Sequence, residues 1–539
     1  MNRLIARPVH AQCTRRAALA LSGALVALSM SGTGVAAQDE TTLRIARPDD
    51  VRALNPFRQA NNSTSEVTYQ IHEGLVTVTP EQEIVPVLAT EWELLDDGLT
   101  YRVKLREGVT FHSGAPFNAE AVAWNMDKQL NGTPPGIAAG LIPPLSAIEV
   151  VDEYTIDFTL EEPSGVFMAI LAAPLFMIVD PTAYAELGDD NYDSGPSGTG
   201  PFMFESWSPG ENVTLVDNEA YWDEANGPEV DKVVFEVIPE ASARSIALQN
   251  GEIDVAFTVA AEQMELFRDG PYNVHEVPST RVVFIGLNTA DPILSDVKVR
   301  QALGHAMDRE MIDAFIGPNG SLASGMGVDG ALGFFPSARE FDPDAARSLL
   351  DEAGWSAGSD GVRTKDGEPL EIDVWTQASY PGEIEALQVV QQQWRDVGAQ
   401  MNLVRLEGGA LYSGLSEQAT AHHEDSAMVP EYQGFVLGSG IRTGEVGYIT
   451  ERPKCDQGPR GYGRYCNPEY DEAFNLSQSP ASVEERLVGY ERMAEIFHDD
   501  AIRLPLFVLQ INVVTSDKVE GLVLNPSQSL NLRGVSIAD

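Results

Sequence analysis

The residues best equipped for chemistry are few and poorly placed for it. His422-His423-Glu424-Asp425 offers two imidazoles and two carboxylates, all competent metal ligands. Adjacent side chains leave the backbone in different directions, so the run reads as a polar loop and no metal is assigned to it. Gly195-Pro196-Ser197-Gly198-Thr199-Gly200 lacks the Gly-Lys pair of a phosphate loop and is not a nucleophile elbow, which leaves its glycines the task of tight turns. The chain has no H-E-x-x-H and no Cys-His pair set for nucleophilic attack. With 81 acidic residues, any two carboxylates are uninformative. The expectation is a protein without catalysis and without a resident cofactor, and Trp375 and Tyr380 are more useful as an aromatic wall for a ligand, although Trp375 suits a core equally well.

Charge and cysteines narrow the setting. Residues 1–37 carry Arg3, Arg7, Arg15 and Arg16, then the apolar run 17–30, then Val35-Ala36-Ala37, the order of an export signal with a small-residue cleavage site. The run is shorter than the ~20 residues of a membrane span. Thr14-Arg15-Arg16 fits a twin-arginine signal, and an ordinary secretory signal remains the alternative. Cys13 precedes the apolar run, so it is no lipid anchor. Removing the signal deletes four arginines and no acids, which takes the net charge from -46 to -50. Such a surface repels nucleic acid and anionic lipid, and a soluble mature chain is expected. Cys455 and Cys466 then remain in an oxidising compartment, where a disulfide is expected; a metal site would need a third and fourth ligand.

The elements that hold these residues follow the periodicities of a mixed α/β chain of 539 residues, long enough for several domains. Asp97-Gly98 supplies the turn of a hairpin whose second strand alternates Leu99, Tyr101, Val103 and Leu105 with Thr100, Arg102, Lys104 and Arg106. Asn118 caps a helix with Val122, Met126 and Leu130 on one face. Residues 232–238, 242–249 and 254–257 read as strand, helix, strand, with Gly251 as the stop. Further strands are expected at 42–46, 150–160, 281–287, 370–375, 400–406 and 504–514. Helices are expected after Asp296 and Asp342, along Ile384, Leu387, Val390, Trp394 and Val397, and after the capping box Ser482 to Glu485. Glycine-rich 317–333 reads as a surface loop, and 59–65 as a polar run.

Several of these stretches share their wording with one family. P-x-L-A-x-x-W, D-G-L-T-Y, K-L-R-E-G-V-x-F-H-x-G and P-F-N-A-E-x-V occur in order between Pro86 and Val122. L-N-P at 54–56, E-G-L-V at 73–76, G-T-G-P-F at 198–202, N-x-x-Y-W at 218–222 and V-R-Q-A-L at 299–303 extend the match. The chain thus resembles the family 5 extracytoplasmic solute-binding proteins, the peptide and nickel receptors of ABC importers. The resemblance implies a bilobal α/β fold of the type II, cluster C-like periplasmic-binding-protein class with two hinged lobes and an accessory domain. Its implied boundaries are an export signal at 1–37, a first lobe at 38–78, 196–288 and 510–539, the accessory domain at 79–195 and a second lobe at 289–509.

The implied function is capture of an oligopeptide or modified peptide between the lobes and delivery to a membrane permease. A non-peptide solute such as an opine, oligosaccharide or metal chelate is the alternative within the class; a secreted hydrolase, which would need a reacting pair in the cleft, is the alternative outside it. The polar stretch with Asn61, Asn62 and Ser63 passes through the cleft in relatives. In peptide receptors an aspartate near 428–432 pairs with the ligand amine; here Met428-Val429-Pro430-Glu431-Tyr432 puts Glu431 in its place and Met428 where a tryptophan is usual. Tyr380 matches a tyrosine of dipeptide receptors, while the arginine shortly before it is missing, which argues against strict dipeptide recognition.

Overall fold

The computed structural model describes residues 40–58, 62–133, 135–136, 141–359, 361–406, 409–425, 427–441, 443–447, 454–455, 461–527 and 530–538. Among them, two long strands organise everything else. Tyr272–Leu287 and Arg503–Ser516 run antiparallel to one another and belong to both halves of an eleven-stranded mixed sheet. On one side Arg503–Ser516 pairs with Val255–Phe257, and the sheet continues through Thr42–Arg47, Lys232–Val237, Asn212–Asp217 and Phe202–Ser208. On the other side Arg281 to Leu287 pairs with Gly434–Gly440, followed by Glu371–Thr376 and Gln400–Arg405. Between the two halves the register of the long pair slips, between Pro278 and Val282. A proline without an N–H breaks the ladder there, and the register shifts a second time between Val283 and Phe284.

Each half has its own core. Val283, Ile285 and Leu287 pack with Leu303, Ile372, Leu387 and Trp394 in one, and Leu43, Ile45, Phe202, Leu215 and Val513 pack in the other. The expected helices are present with their signals intact. Asp296 and Asp342 accept from backbone N–H groups in the first turns of Val297–His305 and Pro343–Glu352, and Ser482 and Glu485 form a reciprocal box before Val483–Asp500.

A separate four-stranded antiparallel sheet, in the order Ala89–Leu94, Thr100–Leu105, Thr155–Leu160, Leu145–Asp152, carries the Asp97-Gly98 turn. Asp97 accepts from the N–H of Leu99 and Thr100, and Gly98 takes φ +69°. Tyr101, Val103 and Leu105 are buried against Phe117, Val122, Phe158 and Phe167, while Arg102 and Lys104 face outward in ion pairs.

Three stretches differ from the sequence reading. The strand expected at 281–287 begins at Tyr272, because its first part alternates poorly and carries His275 and Glu276. Residues 317–333 are not a surface loop throughout: Gly320–Leu322 pairs with Arg503–Ser516, and Ala323 and Met326 are buried in a core with Phe284 and Phe435. The polar run gives way to the helix Asn62–Ile71, whose Val67 and Ile71 are fully buried.

Candidate functional site

Where the two halves of the sheet meet, a cavity of about 910 Å³ lies over the long strands, at the upper end of the volumes that hold small ligands. Leu509 to Asn512 form part of its lining. One wall comes from 47–50, Arg52, Ser63, Glu66, Arg244 and 257–262, the other from Arg281, Asn319, 379–382 and Tyr412.

The charges of this lining are unlike those of the rest of the chain. Arg47, Arg52, Arg244 and Arg281 face Asp49, Asp50, Glu66 and Glu262, so the lining is formally neutral in a protein of net charge -46. Its cations are all guanidinium groups, which favour planar, bidentate acceptors. Arg47 and Glu66 form a buried pair at 3.0 Å with side chains 4% and 11% exposed. Burial pushes the Glu66 carboxyl above its usual range; Arg47 opposes the shift and the Asp49 charge adds to it.

Arg244 is buried in the helix Ala241–Gln249 and held by four carbonyls. Nε donates to Phe257 O at 2.8 Å, Nη1 to Ile238 O and Pro239 O at 2.7 and 2.8 Å, and Nη2 to Thr258 O at 2.6 Å. Burial lowers its proton affinity. Thr258 sits at φ +53°, a costly conformation for a β-branched residue, and the Arg244 clamp holds this part of the cavity wall in it.

On the opposite wall, Arg281 Nη1 donates to Gly438 O at 2.9 Å, and its guanidinium carbon lies 6.0 Å from the centre of the Tyr380 ring. Gly438 N donates to the Tyr380 hydroxyl at 3.1 Å. The buried Glu383 carboxylate accepts from Thr376 Oγ1 and Tyr380 N, which fixes the turn that presents Tyr380.

Of the residues singled out from sequence, Ser63 and Tyr380 line the cavity. Asn62 opens the helix that carries Ser63, and Asn61 lies outside the described residues. Trp375, Met428, Glu431 and Tyr432 are not part of the lining. Trp375 packs 5.4 Å from Tyr432, which is fully buried and donates its hydroxyl to Tyr462 O. Glu431 is exposed, its N–H donating to Gln418 Oε1, and Met428 O meets the His422 ring. His422 and His423 end the helix Ala410–Glu424 and do not sit in a loop. Cys455 and Cys466 are joined by a disulfide with Cα atoms 4.2 Å apart.

Arg47, Glu66, Arg244, Arg281 and Asn512 were not legible as site residues. Only Asn512 left a readable trace, as a polar residue interrupting the apolar run 504–514.

The comparisons with known proteins agree with this geometry. A family model described as bacterial extracellular solute-binding proteins, family 5 Middle, matches residues 83–431. The glutathione-binding protein GsiB of Salmonella typhimurium is 26% identical over 516 residues, covering 95% of this chain and 96% of the relative. Among solved structures, HbpA2 from Haemophilus parasuis superposes with a TM-score of 0.76 at 25% identity, covering 92% of this chain and 99% of that one. NikA from Brucella suis, solved with Fe(III)-EDTA, superposes with a TM-score of 0.80 at 24% identity, again covering 92% and 99%. The two halves of the sheet are therefore the lobes of a bilobal periplasmic-binding-protein fold, and the chain belongs to the bacterial extracellular solute-binding proteins of family 5.

Proposed function

We propose that this protein captures an oligopeptide or modified peptide in the cavity between its lobes and delivers it to an ABC permease in the inner membrane. The observation that carries the reading is the cavity's charge: it is formally neutral, with carboxylates and guanidinium groups on its walls, which suits a zwitterionic chain with an amine at one end and a carboxylate at the other. Its volume suits a ligand longer than a single amino acid. GsiB, the relative similar along nearly the whole chain, is named for glutathione, a tripeptide. Ser63 offers a hydroxyl and Tyr380 a ring face to the cargo. The carboxylates that face the cavity are Asp49, Asp50, Glu66 and Glu262, and these take the place given to Glu431 from sequence.

On this reading residues 1–37 are the export signal, and the mature chain works in the periplasm as a monomer and performs no chemistry on its cargo. No helix among the described residues is long and apolar enough to cross a membrane. The slipped register between Pro278 and Val282 is the hinge, and the domain boundaries are those implied by the family, with the crossing moved from 288 to this slip.

Native mass spectrometry of freshly purified protein, followed by calorimetry with free and N-acetylated peptides, tests the proposal. A retained peptide mass and a loss of at least about tenfold in affinity on acetylation are expected. The second reading, an anionic metal chelate, draws on the guanidinium-only cations of the lining; a retained chelate mass and indifference to every peptide would establish it.

A further inference from the structure

The segment that follows the strand Thr42–Arg47 is pinned on both sides of one uncommitted side chain. That strand runs parallel to both of its neighbours, Lys232–Val237 and Val255–Phe257, and in α/β sheets ligands bind beyond the carboxyl ends of such strands. Asp49 stands at this end and lines the cavity. Before it, Arg47 O accepts from Ile238 N at 2.8 Å. After it, the Asp50 carboxylate accepts from Gly210 N at 2.7 Å and from Trp207 Nε1 at 3.2 Å, and Val51 is buried. Asp49 itself is exposed, and among the described residues its carboxylate has no hydrogen-bond or ion-pair partner. Its charge raises the proton affinity of both Glu66 and Arg244, two buried residues of the cavity wall, so the carboxylate lies on the cavity side of the segment. Neither neighbouring guanidinium turns to it: Arg47 is paired with Glu66, and Arg244 is held by four carbonyls.

We propose that Asp49 receives the ammonium group of the cargo and is thereby a specificity-determining residue of the cleft. The inference rests on the oligopeptide reading and deepens it by choosing one carboxylate among the four of the lining. Glu66 is already paired with Arg47, and Asp50 is occupied by the hairpin of Phe202–Ser208 and Asn212–Asp217. Glu262 is exposed in the short turn Ala261–Gln263, and its side chain has one more torsion to freeze than that of Asp49. An ionised carboxylate accepts and does not donate, so it favours a solute that brings N–H donors together with a positive charge. An ammonium at Asp49 also offsets the repulsion between Asp49 and Glu66, whereas an anionic chelate placed there adds to it. One side chain, on a backbone held in place before cargo arrives, thus separates peptides with a free amine from blocked peptides and from anionic solutes.

Calorimetry with tetraalanine and N-acetyltetraalanine, against the wild type, Asp49→Asn, Asp49→Glu and Glu262→Gln, tests the assignment. In the wild type, acetylation is expected to weaken binding by about tenfold or more. Asp49→Asn is expected to bind free tetraalanine more weakly by a similar factor and to bind the free and acetylated peptides with equal affinity. Asp49→Glu, which keeps the charge, is expected to restore a preference for the free amine. Circular dichroism melting establishes that each variant folds, and Asp49→Ala takes the place of Asp49→Asn if that variant does not. An acetylation effect undiminished in Asp49→Asn overturns the assignment and leaves the peptide reading standing, as does an effect that disappears in Glu262→Gln alone. A wild type that binds neither peptide overturns both.

Discussion

Glu73 explains why three separated stretches of sequence share one family's wording. Its buried carboxylate accepts from Thr199 Oγ1 at 2.9 Å, Tyr221 hydroxyl at 2.8 Å and Trp222 Nε1 at 2.8 Å, and it pairs with Arg533 near the C-terminus. E-G-L-V, G-T-G-P-F and N-x-x-Y-W are therefore parts of one hydrogen-bonded joint, and a joint of this kind has structural rather than ligand-binding work. The glycines fit it too: a Cβ on Gly198 would lie 2.3 Å from Ile71 O, and one on Gly200 2.4 Å from Gln70 O. Beside the joint, burial lowers the pKa of His72 to about 3 from its usual 6.5. Because the folded value lies below the unfolded one, the unfolded chain binds the extra proton, and stability contributed by His72 is full above about pH 6.5 and lost as the pH falls. Urea unfolding from about pH 6.5 downward should show a slope steeper in the wild type than in His72→Gln by up to about 1.4 kcal/mol per pH unit. Arg244→Met strips four carbonyls of their donor, so a loss of about 3 kcal/mol in unfolding free energy is expected from the same measurement.

At the scale of elements, the cavity depends on a close approach between a strand and a side chain. Gly438, in the strand Gly434–Gly440, has no room for a methyl group: a Cβ there would stand 2.7 Å from the Tyr380 ring and 3.0 Å from Arg281 Cδ. Gly438→Ala should push Tyr380 and Arg281 from their positions and weaken peptide binding by about tenfold, with cooperative unfolding preserved; calorimetry and thermal melting separate the two effects. Helices and their ends were legible because capping acts within a few residues: Asn118, Asp296, Asp342 and Ser482 all bond the backbone two or three positions ahead. The long strand from Tyr272 was only half legible, since its pairing with Asn512 to Ser516 is set by residues more than two hundred positions away. For the same reason 317–333 looked like a loop: the strand that pairs with Gly320–Leu322 is remote in sequence.

For the whole molecule, two long strands run through both halves of the sheet and their register slips between Pro278 and Val282 and again between Val283 and Phe284, so on the proposed reading cargo acts by holding the lobes together. Tetraalanine at a hundredfold excess over its Kd should raise the unfolding free energy by about 2.7 kcal/mol, and small-angle scattering should show a smaller radius of gyration with the ligand than without it. The sequence alone determined the family, the mixed α/β class, the local elements and the cysteine pair, because motif wording, period and capping are short-range properties of the chain. It could not determine the cavity lining. Arg47, Glu66, Arg244, Arg281 and Asn512 come from four distant segments, and each looks like an ordinary polar residue until the lobes bring them to one surface. Trp375 and Tyr432 show the converse, since aromatic residues attractive for a ligand were drawn into a core that only the packed second lobe creates.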